Sequence, residues 1–383
     1  MLRSPLPETG KDIVMKLAFF MMPMHNMNRD YHATLMEDVE SVVLAEKLGF
    51  TECWVGEHYT CEIEQISSPI TFLAFVASKT SKIKLGTGVL PLPLYHPVMA
   101  ASHVALLDHL TEGRLILGVG TGALGSDFEA FGMPNANRPE MMMDSLDIIQ
   151  QIWSGSAPYE IKGKYWNVTL KDNVWPDLGV GSFGKPYQLP HPPLALSVSS
   201  PNSNSIRIAA QRGMMPISAN FVASWVVKTH WDTYADELKK LGKKPDGNQW
   251  RVARSIFVAD TDEEAEAFVK TRNGAYDWYY DYMFTVYQRL GSAKLLAPTP
   301  GMDESEITYE KVRDSFVIYG SVETVTRKIL ELRDEVGPFG TLLMTAHDCT
   351  EKAVMHKSME LLATKVMPAV NVELASSRAK LIA

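Results

Sequence analysis

The chain has 383 residues, 46% of them hydrophobic, which is enough to bury one large core or two modest ones. A net charge of −8 with no basic block argues against a general nucleic-acid surface, and no apolar run approaches the ~20 residues that a membrane span needs. Three cysteines, Cys53, Cys61 and Cys349, fit neither a zinc nor a disulfide pattern, so a reducing cytoplasm is expected.

Residues 1–14 lack the apolar core of a signal peptide and read as a loose leader. From there apolar runs alternate with amphipathic stretches. KLAFFMM (16–22) predicts a strand and MEDVESVVLAEKLG (36–49) a helix closed by Gly49. FTECWV (50–55), KIKLGTGV (82–89) and RLILGVG (114–120) predict three more strands. They alternate with helices over 69–80, 97–113 and 138–155. The stretch 156–192 is rich in Gly, Pro, Tyr and Trp and reads as an insertion, with KGKYWNVTL as a hairpin strand inside it. Strands return at 193–199, 214–220, 251–260 and 339–347. Helices follow at 203–213, about 222–241, from Thr261 and about 351–366, and another precedes the last strand. A long irregular region is expected at about 276–320 and a tail at 370–383. Eight strand–helix units without a linker favour one α/β domain over 15–369, a (β/α)8 TIM barrel with insertions, in which residues just after each strand face the active site.

WVGEHYT (54–60) then stands at the end of the second strand, with His58 in a position to move a proton near neutral pH. A polar strand tip is the plainer reading. Glu57 is expected to orient His58 or to pair with another neighbour. GTGALG (120–125) matches a dinucleotide fingerprint but follows the fourth strand rather than the first, so a glycine-rich loop that lets a ring or phosphate approach the backbone is expected instead. SVSSPNSNSI (197–206) leads into a helix that Asn202 or Ser203 caps, which suits an ordinary helix start and an anion site equally. Arg138 either serves the same anion or is a solvated helix-start arginine. No His/Asp/Glu set has metal-ligand spacing and no G-x-S-x-G elbow occurs, so neither a metalloenzyme nor a serine hydrolase is expected. Trp153, Tyr159, Tyr165, Trp166, Trp175, Tyr279, Tyr280 and Met283 suit an apolar substrate roof or ordinary packing.

GFTECWVGEHYT, KIKLGTGVLPLPLYHP, LLDHLTEGRLILGVGTGALGSDFEAFG and AAQRG together resemble the flavin-dependent luciferase-like monooxygenases, with the style of their limonene-type and diketocamphane-type members. The match runs from about Met15 to Ala369. The resemblance implies a luciferase-like barrel that binds FMN non-covalently and receives it reduced from a separate NAD(P)H:flavin reductase. It further implies reaction with O2 to a C4a-(hydro)peroxyflavin, and transfer of one oxygen atom to a small apolar organic substrate such as a terpene, cyclic ketone or aldehyde. It assigns His58 as the catalytic base and places a non-prolyl cis peptide at Gly88–Val89, against the flavin ring. Where luciferases carry a reactive cysteine and a phosphate-contacting arginine, this chain has Gly120 and Thr121. Phosphate binding is therefore expected from Ser199, Ser200, Asn202 and Ser203, with help from Arg138. Tyr59 replaces a second luciferase histidine, which argues against light emission. A homodimer through the early barrel helices is expected. Two other readings stay open: an F420-dependent dehydrogenase, disfavoured by the lack of a lysine run for a polyglutamate tail, and a catalytically silent flavin-binding subunit, against which His58 argues.

Overall fold

The computed structural model describes residues 14–21, 24–348 and 350–382, so most of the expected leader and Cys349 lie outside it. The first half of the chain runs β1 (Lys16–Met21), α1 (Tyr31–Lys47), β2 (Glu52–Val55), α2 (Pro69–Ala77) and β3 (Lys84–Thr87) with a two-residue continuation, β4 (Leu90–Pro91). Next come α3 (Pro97–Leu110), β5 (Leu115–Gly120), the short α4 (Gly125–Ala130), α5 (Arg138–Ser154) and an antiparallel hairpin, β6 (Tyr159–Lys162) with β7 (Asn167–Leu170). The second half runs β8 (Leu194–Val198), α6 (Asn204–Arg212), β9 (Met215–Ser218), α7 (Ser224–Lys240), β10 (Arg251–Val258), α8 (Asp262–Val269) and α9 (Ala275–Arg289). It ends with α10 (Tyr309–Phe316), β11 (Val317–Gly320), α11 (Val322–Val336), β12 (Thr341–Thr345), α12 (Lys352–Leu361) and α13 (Met367–Ile382).

Parallel pairing in the order β1–β2–β3–β5–β8–β9–β10–β12 returns to β1 and closes an eight-stranded barrel. The eight closing strands are the eight expected from sequence. β11 is an addition to them: β10 pairs with β9 only at Arg251 and Val252, and β11 takes the outer half of β10 from Ser255 to Val258. Inside the barrel Ala18, Trp54, Ile116, Ala195, Ile217, Ala253 and Leu343 form a small core. The Trp54 indole fills its centre because Gly86, on the neighbouring strand, has no Cβ to collide with it. The larger core lies between the strands and the surrounding helices, as the alternation of side chains across a strand requires.

Two expectations need correction. The region 276–320 is largely ordered as α9, two short 3-10 turns, α10 and β11. α9 buries Tyr276, Tyr279, Tyr280, Met283 and Phe284, a helical i, i+3, i+4, i+7, i+8 stripe, although its aromatic residues are individually modest helix formers. The stretch 370–382 is not a separate tail: after a π-turn at Leu362–Val366 the chain continues as α13. Among the described residues no helix is long and apolar enough to cross a membrane.

Candidate active site

The carboxyl ends of the barrel strands surround a cavity of about 400 Å³. Its wall collects residues from five successive strand ends: Phe20 near the end of β1, Glu57 and His58 after β2, Gly88 and Val89 after β3, Thr121 to Ala123 after β5, and Ser199, Ser200 and Ser203 after β8. Asn220, after β9, also lines it. This is the face on which (β/α)8 barrels carry their chemistry.

His58 is fixed from both sides. Its Nδ1 lies 3.0 Å from Asp127 Oδ2, and its Nε2 lies 3.1 Å from Glu64 Oε2. Asp127, on α4, also accepts from the backbone N–H groups of Tyr59 and Thr60 and from the Thr60 hydroxyl, at 3.1, 2.8 and 2.6 Å. Burial by itself would raise the Asp127 carboxyl, but the hydrogen bonds from Thr60 and His58 outweigh it and hold the group below its ordinary range. An ionised Asp127 accepts a hydrogen bond from Nδ1–H and so fixes the tautomer and tilt of the ring. Glu64 is pushed up by burial, with His58 pulling the other way.

Glu57 does not orient His58. It is turned toward Tyr95, whose hydroxyl lies 2.9 and 2.8 Å from its two carboxylate oxygens, and it also accepts from Tyr59. Burial drives the Glu57 carboxyl up to about 8 despite those two donors. The orienting carboxylates are Asp127, sixty-nine residues from His58, and Glu64. Asp127 sits in SDFEAFG, part of the most specific run of the family resemblance, whereas Glu64 carries no local signal.

The Gly88–Val89 peptide is cis, and both residues line the cavity. Val89 reaches toward Gly120, where an added Cβ would collide with its Cγ2. The absence of a side chain at Gly120 therefore has a packing reason. Ser199, Ser200 and Ser203 stand together in the cavity wall with Ser205, which sequence reasoning passed over. Ser203 caps α6 by accepting from Ser205 N–H at 3.2 Å. Asn202 and Arg138 are not among the lining residues. Asn202 makes the turn at φ 52° and donates its N–H to Thr229. The Arg138 guanidinium lies 3.9 Å from the Phe128 ring and, at 3.4 Å, donates to the carbonyls of Gly122 and Ala123, so it supports the cavity wall from behind. None of the eight aromatic and methionine residues expected as a roof lines the cavity; Tyr279 is joined to its wall through the Asn220 amide, which donates to its hydroxyl at 3.0 Å.

The fit to FMN rests on this geometry. Flat cis backbone and glycines border one side of the cavity, while serine hydroxyls and the first turn of α6, whose N–H groups have no intrahelical acceptor, border the other. The match to known proteins agrees. The model of the luciferase-like monooxygenase family matches residues 15–337. A 4-hydroxyprotoasukamycin monooxygenase of Streptomyces nodosus subsp. asukaensis is 32% identical over 92% of this chain and 91% of its own. The oxygenating constituent of 3,6-diketocamphane monooxygenase from Pseudomonas putida, a type II Baeyer-Villiger monooxygenase solved with FMN, superposes with a TM-score of 0.84. It is 29% identical, covering 93% of this chain and 98% of that one. A coenzyme F420-dependent tetrahydromethanopterin reductase from Methanopyrus kandleri covers 93% of this chain and 99% of its own at a TM-score of 0.65 and 19% identity, which shows the fold alone.

The chain belongs to the luciferase-like monooxygenase family. Within it, this protein is a flavin-dependent monooxygenase, and its cofactor is FMN.

Proposed function

We propose that this protein is the oxygenase component of a two-component system. It takes up reduced FMN from a separate NAD(P)H:flavin reductase and places one oxygen atom from O2 on a small apolar organic substrate: a terpene, a cyclic ketone or an aldehyde. The observation that carries the reading is the His58 ring, locked by Asp127 and Glu64 at the wall of a cavity bordered by the cis Gly88–Val89 peptide. Bound FMN supplies the oxygen chemistry. The protein supplies position and protons.

In this reading Gly88, Val89 and Thr121 border the flavin ring. Ser199, Ser200 and Ser203, joined by Ser205, hold the phosphate at the start of α6. Asn202 shapes that turn and Arg138 braces the 122–123 loop. His58 takes or gives a proton at Nε2, the ring nitrogen that faces Glu64, while its Nδ1–H donates to the Asp127 carboxylate throughout. Phe20, Leu94, Ile217 and Phe221 give the cavity the apolar wall that such substrates need.

A homodimer through α2 and α3 is part of the proposal. Phe75, Met99, Leu106 and Leu110 on these helices are between 46% and 59% exposed. A cytoplasmic location is proposed as well, in keeping with the free thiols of Cys53 and Cys61. The test is an aerobic reaction with FMNH2, catalase and a panel of terpenes, cyclic ketones and aldehydes, followed by mass spectrometry. A product heavier by one oxygen, labelled from 18O2, is expected. Unlabelled product, or oxidation of an alcohol with F420 and not with FMN, would overturn the proposal.

A further inference from the structure

Glu57 is an acidic residue of the cavity wall to which the oxygenase reading gives no task. It is 7% exposed, lines the cavity, and sits among groups that offer it no cation. Tyr95 faces it from the loop before α3, Tyr59 from its own loop and Asp127 from α4, while the neighbouring His58 ring is turned to Asp127 and Glu64. A buried carboxylate without a cation sheds its charge where it can.

The charge of Glu57 decides how many protons the cluster can offer. When Glu57 is ionised, the Tyr95 and Tyr59 hydroxyls both donate to it, and the cluster has no proton left for a ligand. When Glu57 is neutral, the same three groups hold three O–H protons; its carbonyl oxygen accepts from the phenols and its own O–H is free to turn into the cavity. We infer that Glu57 works as a neutral carboxylic acid which donates a hydrogen bond to an acceptor atom, oxygen or nitrogen, of the bound flavin ring or of the organic substrate. The inference rests on FMN occupying this cavity. Burial, which lifts the Glu57 carboxyl to about 8, keeps the acid form dominant at neutral pH.

The experiment is a titration of the full chain with oxidised FMN from pH 7 to 9, alongside the KM of a turned-over substrate at the same pH values. If the donor serves the flavin, FMN affinity falls about tenfold across that range with a midpoint near 8, the size of one lost hydrogen bond. If it serves the substrate, FMN affinity stays level and KM rises instead. Glu57→Gln, whose amide donates at every pH, removes the slope in either case, whereas a slope that comes from another group survives that change. Tyr95→Phe deletes a hydrogen bond that stabilises the charged form, so it moves the midpoint upward; this arm and the wild-type titration stand even if the Gln variant does not fold. Level FMN affinity together with level KM, or a slope that persists in Glu57→Gln, overturns the inference. Failure of the wild type to make any product from FMNH2 and air overturns the oxygenase reading, and the FMN titration still decides the role of Glu57.

Discussion

Glutamates buried at the two ends of β2 sit in opposite environments. Glu52, at the amino end of the barrel, is met by the Arg251 guanidinium at 2.6 and 3.1 Å and by the Trp54 indole N–H at 2.9 Å. Just past the carboxyl end of the same strand, Glu57 has only phenol donors, and Glu64 has one histidine. The amino end is a sealed plug in which the charge is matched in place. The carboxyl end keeps polar groups short of partners and leaves them facing a cavity, as a site must if it is to offer protons and hydrogen bonds to something that comes and goes. One strand therefore carries a stability end and a function end, and substitutions should divide accordingly.

The largest effect is expected at the function end. His58→Ala should lower product formation by roughly 10²–10⁴-fold, the usual worth of general acid–base catalysis, with FMN affinity unchanged in a calorimetric titration. A loss of FMN binding in step with the rate would erase the distinction between the ends. At the other end, Arg251→Met strands Glu52 as a buried, uncompensated charge. That should cost about 3–5 kcal/mol in urea unfolding; a variant as stable as the wild type would show that the plug carries no stability.

Ser203→Asp brings a second anion to the proposed phosphate site, and should weaken FMN by about 1–3 kcal/mol while leaving riboflavin nearly unaffected. Equal losses for both flavins would move the phosphate elsewhere. A pH effect on stability sharpens the comparison, because it concerns a structural trio near the function end. His25 is held by Asp348 at 3.0 Å and Asp38 at 3.1 Å. Burial opposes its charge, but the hydrogen bonds to those two carboxylates outweigh burial and raise it from 6.5 to about 9. The folded state thus binds the proton more tightly than the unfolded chain. The resulting stability is complete below about pH 6.5 and is lost as pH rises through about 9. Urea unfolding should therefore show lower stability at pH 9.5 than at pH 6, and His25→Gln should remove most of that difference. A pH difference that survives the substitution would assign it to another group.

The barrel was legible because each closing strand is a short apolar run framed by turn or cap residues, so strand order followed from chain order. α9 was hidden by residue type although the 3.6-residue period was present: AYDWYYDYMFTVYQR looks irregular until Tyr276, Tyr279, Tyr280, Met283 and Phe284 are seen to share one face. His58, Gly88–Val89 and the serines after β8 were legible through barrel logic and family resemblance, since residues at strand ends converge whatever their separation in sequence. The partners were not. Asp127 reaches His58 from α4 and Tyr95 reaches Glu57 from the loop before α3, and no local pattern encodes pairings across the mouth of a barrel. Arg138 shows the converse: a cation at a plausible place in sequence spends its charge on an aromatic face and two carbonyls.

The central claim is that the carboxyl-end cavity performs oxygenation with His58 as its proton-moving group. The most direct test is the ratio of oxygenated substrate to hydrogen peroxide formed per FMNH2 consumed, compared between wild type and His58→Asn. Asparagine keeps a hydrogen bond to Asp127 but carries no titratable proton. The variant is predicted to consume FMNH2 and O2 still, with the ratio shifted strongly toward peroxide and with FMN affinity retained. A variant that melts earlier yet keeps the wild-type ratio would contradict the claim and return His58 to a structural strand-end residue.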